Sequence, residues 1–146
     1  MNSVLPNKPN RFGTSILIVE DDNDDRDFIT EALLNVDHNL SIQTITNGNK
    51  ALSYLETIPD NQLPQLLILD YNLPERDGAE VLQLLLQNSR YQNISKIIWS
   101  TSNAPQYKKR SLELGAVSYM VKPSTIAGIE EMARKMLEQC HHNCIQ

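Results

Sequence analysis

The chain has 146 residues, of which 40% are hydrophobic and 21% charged, and this length and composition are typical of one soluble globular domain. Thirteen basic and eighteen acidic side chains give a formal charge of −5, whereas nucleic acid binding needs clustered lysines and arginines. No apolar run approaches the ~20 residues that span a bilayer, and no secretory signal is visible. We therefore expect a cytoplasmic protein that binds neither nucleic acid nor membrane.

Five short apolar runs predict the strands of a sheet. Short continuous apolar runs between polar residues are typical of strands that are buried on both faces of a parallel sheet. The runs are residues 16–19, 41–46, 66–69, 97–99 and 119–121. The second run has only Ile42 and Ile45 as apolar residues and predicts an edge strand. Trp99 lies within the fourth run and is expected in the core.

Five helices are predicted, one after each run, and apolar residues at helical spacing indicate all of them except the fourth. The second helix is expected to stop at Pro59, which cannot continue it. The fourth helix is expected to have Pro105 in its first turn and to end at Gly115. Ser124 or Thr125 is expected to cap the last helix.

The alternation of strand and helix predicts the fold class and the domain organisation. It favours an α/β fold in which a parallel sheet has helices on both faces and right-handed crossovers. Residues 1–14 contain two prolines and no apolar period, so we expect a leader there, a domain over residues 15–140 and a tail over residues 141–146. The last helix is expected to end near Cys140. Because Cys140 and Cys144 follow the core, they cannot cross-link it, which fits a reducing compartment.

Polar side chains follow four of the five predicted strands. Glu20 and Asp21 follow the first strand, Asp70 the third, Thr101 the fourth and Lys122 the fifth. Ligands of an open parallel sheet bind beyond the carboxyl ends of its strands, so we expect these five side chains to converge. Each of them alone is more typical of a turn or a helix cap, and the prediction depends on their joint placement.

The residue types at this edge indicate phosphoryl chemistry. Adjacent carboxylates repel one another, and a hard divalent cation such as Mg²⁺ binds carboxylates together with waters and phosphate oxygens. A carboxylate can also attack phosphorus while a metal ion and a lysine neutralise the phosphoryl oxygens. Thr101 would donate a hydrogen bond to such an oxygen. The set therefore predicts a phosphoryl-acceptor site.

The segments ILIVEDD, LLILDYNLPERDG, IIWSTSN and YMVKP resemble the receiver domain of two-component response regulators over about residues 15–139. The resemblance implies a flavodoxin-like, doubly wound sheet of five strands in the order 2-1-3-4-5. It implies that Asp70 accepts a phosphoryl group from a histidine kinase or a phosphotransfer protein. It also implies that Mg²⁺, or Mn²⁺ in its place, is held by Glu20, Asp21, Asp70 and the backbone carbonyl of Asn72.

The same resemblance implies roles for the surrounding residues. Thr101 and Tyr119 match the switch pair of the family, Lys122 matches its phosphoryl-binding lysine, and a cis peptide bond is expected before Pro123. Residues 73–74, 77–78, 88–95 and 101–102 are also similar to the stand-alone regulators that are paired with bacterial phytochromes.

The expected function is that of a single-domain regulator without an effector domain. Its only chemistry would be self-catalysed phosphorylation and dephosphorylation, and Asn72 and Asn103 would tune the phosphoryl lifetime. Output would be phosphorylation-dependent protein binding, including homodimer formation, through the face of the fourth helix, fifth strand and fifth helix. The basic residues 108–110 lie on that helix and are read as a solvated face or as a docking patch.

Two other functions stay open at this point. A phosphatase with an aspartate nucleophile would place Asp-x-Asp after the first strand, whereas the lone candidate nucleophile here follows the third. A degenerate receiver would act only as a binding module and would lack the acidic pair, the aspartate or the lysine. Two metal motifs are declined, because an EF-hand starting at Asp21 would need Gly at Arg26 and Glu at Ala32, and the adjacent Cys and His residues at 140–144 point apart.

Overall fold

The computed structural model describes residues 14–144, with side chains described to residue 140. The expected leader, except for its last residue, and the side chains of the expected tail lie outside the described residues. Within the described range, no helix combines the length and the apolar character that crossing a membrane requires.

Five parallel strands form one sheet in the order β2-β1-β3-β4-β5, which confirms the predicted fold. The strands are β1 (Ser15–Val19), β2 (Ser41–Ile45), β3 (Leu66–Asp70), β4 (Ser95–Ser100) and β5 (Ser118–Val121). The helices are α1 (Asn23–Val36), α2 (Gly48–Thr57), α3 (Gly78–Leu86), α4 (Pro105–Glu113) and α5 (Ile126–Cys144). Short 3₁₀ turns occur at Asp60–Gln62 and Ser89–Tyr91, and β2 lies at an edge as expected.

The core has two halves because side chains alternate between the faces of each strand. One half joins Leu17 and Leu69 to residues of α2 and α3. The other joins Ile18 and Trp99 to residues of α1 and α5. Trp99 is fully buried, as expected for a core residue. The sheet is therefore covered on both faces, and its central strands β1 and β3 are apolar up to their carboxyl ends.

Helix boundaries follow the capping chemistry of the sequence. Pro105 occupies the first turn of α4, and Gly115 follows that helix with a φ of 102°, a conformation that glycine adopts without strain. The hydroxyl of Thr125 accepts a hydrogen bond of 3.0 Å from the Gly128 N–H and caps α5. This last helix continues to Cys144 instead of ending near Cys140, because residues 141–144 contain no Pro or Gly to end it.

The peptide bond before Pro123 is trans, since the described residues contain no cis peptide bond. The expectation of a cis bond is wrong for this structure. An X–Pro bond ordinarily favours the trans isomer over the cis isomer by about 0.5–1 kcal/mol. In this conformation the Lys122 N–H donates to the Ser100 carbonyl at 2.7 Å, which continues the pairing of β4 and β5 by one residue.

Candidate functional site

Three carboxylates meet where β1 and β3 end. Val19 pairs with Leu69 in the sheet, so the residues that follow them, Glu20 and Asp70, lie side by side at the end of the two strands. Together with Asp21 they offer oxygens that lie within 4.8 Å of one another. Glu20 and Asp70 are buried and Asp21 is exposed, so the cluster is open to solvent at one side.

In this cluster the surroundings of Glu20 strongly disfavour the ionised form of its side chain. Burial, and next the charge of Asp70, raise the pKa of Glu20 to about 8. Its Oε2 accepts a hydrogen bond of 3.0 Å from the Asp22 N–H. Its Oε1 is buried without a hydrogen-bond partner in the described part of the chain, although Lys122 Nζ lies 3.0 Å away as an ion pair.

This arrangement fits a divalent cation. A buried carboxylate oxygen without a hydrogen bond is costly, and a cation would satisfy it and offset the repulsion between the three carboxylates. The donor set consists of oxygens alone, which suits Mg²⁺ or Mn²⁺ and not the softer metals. The residues Glu20, Asp21 and Asp70 thus fit the expected metal site.

Lys122 lies at the centre of the site and contacts three carboxylates. Its Nζ donates to Asp25 Oδ2 at 2.8 Å and to Asp70 Oδ2 at 3.0 Å, and it lies 3.0 Å from Glu20 Oε1. Burial acts to lower the pKa of Lys122, but these carboxylates outweigh burial and raise that pKa above its ordinary value. Its Nζ also lies 4.7 Å from the centre of the Trp99 ring.

The contact between Asp25 and Lys122 is not predicted from the sequence. The sequence indicates only a favourable carboxylate in the first turn of α1. The structure brings this side chain to Lys122, 97 positions along the chain. No local pattern marks such a pair, because it depends on how α1 packs beside the end of β5.

Asp70 is held in one orientation by its neighbours. Its Oδ1 accepts a hydrogen bond of 2.9 Å from the Asn72 N–H, while its Oδ2 accepts from Lys122. Gly78, at the start of α3, allows the backbone to approach closely, because a Cβ there would lie 2.6 Å from the Asp70 carbonyl oxygen. The backbone of the candidate nucleophile is therefore closely packed against the start of α3.

The hydroxyl that is linked to Asp70 through Asn72 is that of Ser100 and not that of Thr101. Ser100 is fully buried, and its Oγ accepts hydrogen bonds from Asn72 Nδ2 at 3.3 Å and from the Ser102 N–H at 3.1 Å. Thr101 is exposed, and no described residue forms a hydrogen bond with its side chain. Ser100 is the last residue of β4, so it precedes the predicted position by one residue.

The remaining predicted residues lie around the rim of the site. Tyr119 on β5 is half-buried, and its hydroxyl donates to the Ser102 carbonyl at 2.5 Å. Asn103 is exposed beyond the end of β4, and so are residues 108–110 on α4. Beside them, the rings of Tyr71 and Tyr107 stack with centroids 4.4 Å apart, which connects the residue after Asp70 to α4.

Comparisons with known proteins agree with this geometry. The family described as response regulator receiver domain matches residues 16–134. Response regulator Rcp1 of Synechocystis is 31% identical over 124 residues, which cover 82% of this chain and 83% of that protein. The rice two-component response regulator ORR7 (Oryza sativa subsp. japonica) is 29% identical over 123 residues, or 84% of this chain, and the chain spans only 56% of its length.

Solved structures give the same result. The phosphorylated cyanobacterial phytochrome response regulator RcpA has a TM-score of 0.79 and 28% identity, covering 86% of this chain and 92% of that one. The Mn²⁺-bound form of response regulator Rcp1 has a TM-score of 0.74 and 27% identity, covering 84% and 90%. These similarities confirm the flavodoxin-like fold.

Proposed function

The chain belongs to the response regulator receiver domain family, and from that membership we propose that Asp70 accepts a phosphoryl group from the phosphohistidine of a sensor kinase or phosphotransfer protein. The observation that carries the proposal is the setting of Asp70, a buried carboxylate with one oxygen on the Asn72 N–H and the other on Lys122. The similarity to the phytochrome response regulators supports a phytochrome-type kinase as the donor.

In the proposed step an oxygen of Asp70 forms a bond to phosphorus as the phosphorus–nitrogen bond of the phosphohistidine breaks. The bonding electron pair leaves with the imidazole nitrogen, and the product is an acyl phosphate on Asp70. The Asn72 N–H fixes the direction of the carboxylate. Lys122 already donates to Asp70 and would then donate to a phosphoryl oxygen.

We assign the divalent cation site to Glu20, Asp21, Asp70 and the backbone carbonyl of Asn72. When bound there, Mg²⁺ or Mn²⁺ would neutralise the negative charge that gathers on the phosphoryl oxygens. The Mn²⁺-bound form of Rcp1 supports this assignment. Glu20 would act from its buried position, and Asp21 from the open side of the cluster.

For the phosphoryl-binding hydroxyl we propose Ser100 in place of Thr101. Asn72 donates hydrogen bonds both to Ser100 Oγ, through Nδ2, and to Asp70 Oδ1, through its backbone N–H. Thr101 is exposed and lies outside this network. A hydroxyl drawn towards the phosphoryl oxygen would change its contact with the Ser102 N–H. The Ser102 carbonyl holds the Tyr119 hydroxyl, so Tyr119 would respond as the second member of the switch.

The proposed output is protein binding at the face of α4, β5 and α5. This face carries Tyr119 and the exposed basic residues 108–110, and its partner would be a kinase, a target protein or a second copy of the chain. In this proposal residues 15–140 act as the receiver, and the side chains of Asn72 and Asn103 control the access of water to the acyl phosphate.

Phosphate-affinity electrophoresis after treatment with acetyl phosphate and Mg²⁺ tests the proposal. The wild type should be retarded, Asp70→Asn should not, and the exposed Asp27→Asn, which loses the same charge, should behave as the wild type does. Undiminished labelling of Asp70→Asn would contradict the assignment. A wild type that takes up no phosphoryl group would instead indicate a binding module.

The output is tested with beryllofluoride, which mimics the phosphoryl group. We expect it to change self-association or kinase binding by about one to two decades, the range that is typical of such couplings, and Tyr119→Ala should abolish the change. If beryllofluoride leaves both kinds of binding unchanged and Tyr119→Ala has no effect, the face is wrongly assigned.

A further inference from the structure

We propose that Asp25 is a positioning residue that keeps the ammonium of Lys122 beside Asp70 while the neighbouring carboxylates hold a divalent cation. The inference rests on the proposed function and adds to it a residue of α1. Asp25 would touch neither the cation nor the phosphoryl group, and would act only through Lys122.

The contact between the two side chains is short and specific. Lys122 Nζ lies 2.8 Å from Asp25 Oδ2 and 3.0 Å from each of its other two carboxylate partners. The side chain of Lys122 is only 9% exposed, whereas that of Asp25 is 35% exposed. Asp25 is therefore the carboxylate partner that holds Lys122 from the solvent side, since the side chains of Glu20 and Asp70 are buried.

Asp25 differs from the other two partners of Lys122 in one respect. Glu20 and Asp70 belong to the cluster that offers oxygens to a cation, together with Asp21, and Asp25 does not. When those oxygens turn towards a cation, they offer less charge to the lysine, and the cation itself repels the ammonium. Asp25 is then the carboxylate that still holds Lys122 in the site.

The backbone of α1 makes Asp25 a suitable anchor. The Asp25 N–H donates to Oδ1 of Asp22, the N-cap of the helix, at 2.9 Å. Lys122, in contrast, reaches the site on a flexible four-carbon stem. A carboxylate that is fixed by a helix end limits the positions that this ammonium visits and so prepares it for the phosphoryl oxygen.

Asp25 also stabilises the start of α1 by its charge alone, and a variant of Asp24 controls for that effect. Any carboxylate in the first turn of a helix stabilises that helix, and Asp24 occupies the same turn of α1. Asp24 is exposed, and its side chain has no hydrogen-bond or ion-pair partner among the described residues. Asp24→Asn therefore reproduces the change of charge and of helix end in Asp25→Asn without touching Lys122.

The emission of Trp99, the one tryptophan of the chain, reports the position of Lys122 without any phosphoryl group. We would titrate the wild type, Asp24→Asn, Asp25→Asn and Lys122→Met with Mg²⁺. The first two should reach the same end-point emission. Asp25→Asn should end close to Lys122→Met, because its ammonium leaves the ring when the cation binds. Equal end points for Asp24→Asn and Asp25→Asn would overturn the proposal.

Labelling by acetyl phosphate gives the second measurement. Asp25→Asn should lower the initial rate about three- to tenfold, as expected for one partly exposed hydrogen bond between charged groups, whereas Asp24→Asn should stay within about twofold. In a Lys122→Met background, Asp25→Asn should cause no further loss. An equal loss in both backgrounds would refute the positioning role. A wild type without labelling would refute the proposed function, and the fluorescence end points would still decide the role of Asp25.

Discussion

Without divalent cations the side chain of Glu20 remains a buried carboxyl group beside Asp70, and we expect the protein then to lose stability as the pH rises. Burial and the charge of Asp70 raise the pKa of Glu20 from its ordinary value of 4.5 to about 8. Between these values the folded protein holds a proton that the unfolded chain has released. The free energy of unfolding therefore decreases with increasing pH over this interval.

The size of the effect follows from the same pKa. One proton gives a slope of at most ~1.4 kcal/mol per pH unit, or about 5 kcal/mol over the whole interval. Water and salt at the open side of the cluster reduce the interaction between the charges, so we expect a loss of about 2–4 kcal/mol. Glu20→Gln has nearly the same volume and cannot release a proton, so this variant should lack the slope.

Urea unfolding followed by Trp99 fluorescence measures this loss from about pH 5 to about pH 9 in the presence of EDTA. Asp24→Asn should keep the slope of the wild type, because Glu20 is intact. Saturating Mg²⁺ should flatten the slope of the wild type, because a cation favours the ionised carboxylate. Equal slopes for the wild type and Glu20→Gln would refute the reasoning.

Three further variants test other parts of the structure. Ser100→Ala should lower the rate of labelling by acetyl phosphate about tenfold, whereas Thr101→Ala should stay close to the wild type; the reverse order would restore Thr101 as the phosphoryl-binding hydroxyl. Gly78→Ala should lower the free energy of unfolding by about 1–3 kcal/mol in urea, because its Cβ meets backbone atoms of Asp70; an unchanged midpoint would show that α3 moves freely. Burial lowers the pKa of Lys96 below its ordinary 10.5. The wild type should therefore gain stability over Lys96→Met as the pH rises towards that value. A difference in the free energy of unfolding that is the same at all pH values would contradict this.

The fold and the position of the site could be predicted because the signals are local. Each strand is a continuous apolar run that ends in a polar residue, and the carboxyl ends of parallel strands share one edge. Asp70 and Lys122 follow two such runs, and the structure brings them to 3.0 Å. Trp99 was predicted in the core for the same reason, since it lies inside a run that is buried on both faces.

The remaining features depend on contacts that the sequence does not encode locally. Ser100 and Thr101 are adjacent hydroxyl residues, and only the exact end of β4 decides which of them is buried beside Asn72. Asp25 looks like any carboxylate in a first helical turn, and its link to Lys122 arises from packing. The trans bond before Pro123 differs from the implied cis bond, which came from a resemblance and not from any physical signal in the chain.

At the amino-terminal end of the strands, Arg90 ties together segments that are far apart in sequence. Its guanidinium donates to the carbonyls of Leu55 and Ile58 and to the carboxylate of Asp60, so it clamps the end of α2 to the turn before β4. Close by, Lys96 donates to two carbonyls of that same turn. Side-chain contacts of Arg90 and Lys96 therefore cross-link the amino-terminal end of the sheet, whereas the proposed phosphoryl site lies at the carboxyl end. If the proposed switch operates, we expect its movement to stay at the carboxyl end of the sheet, towards α4 and β5.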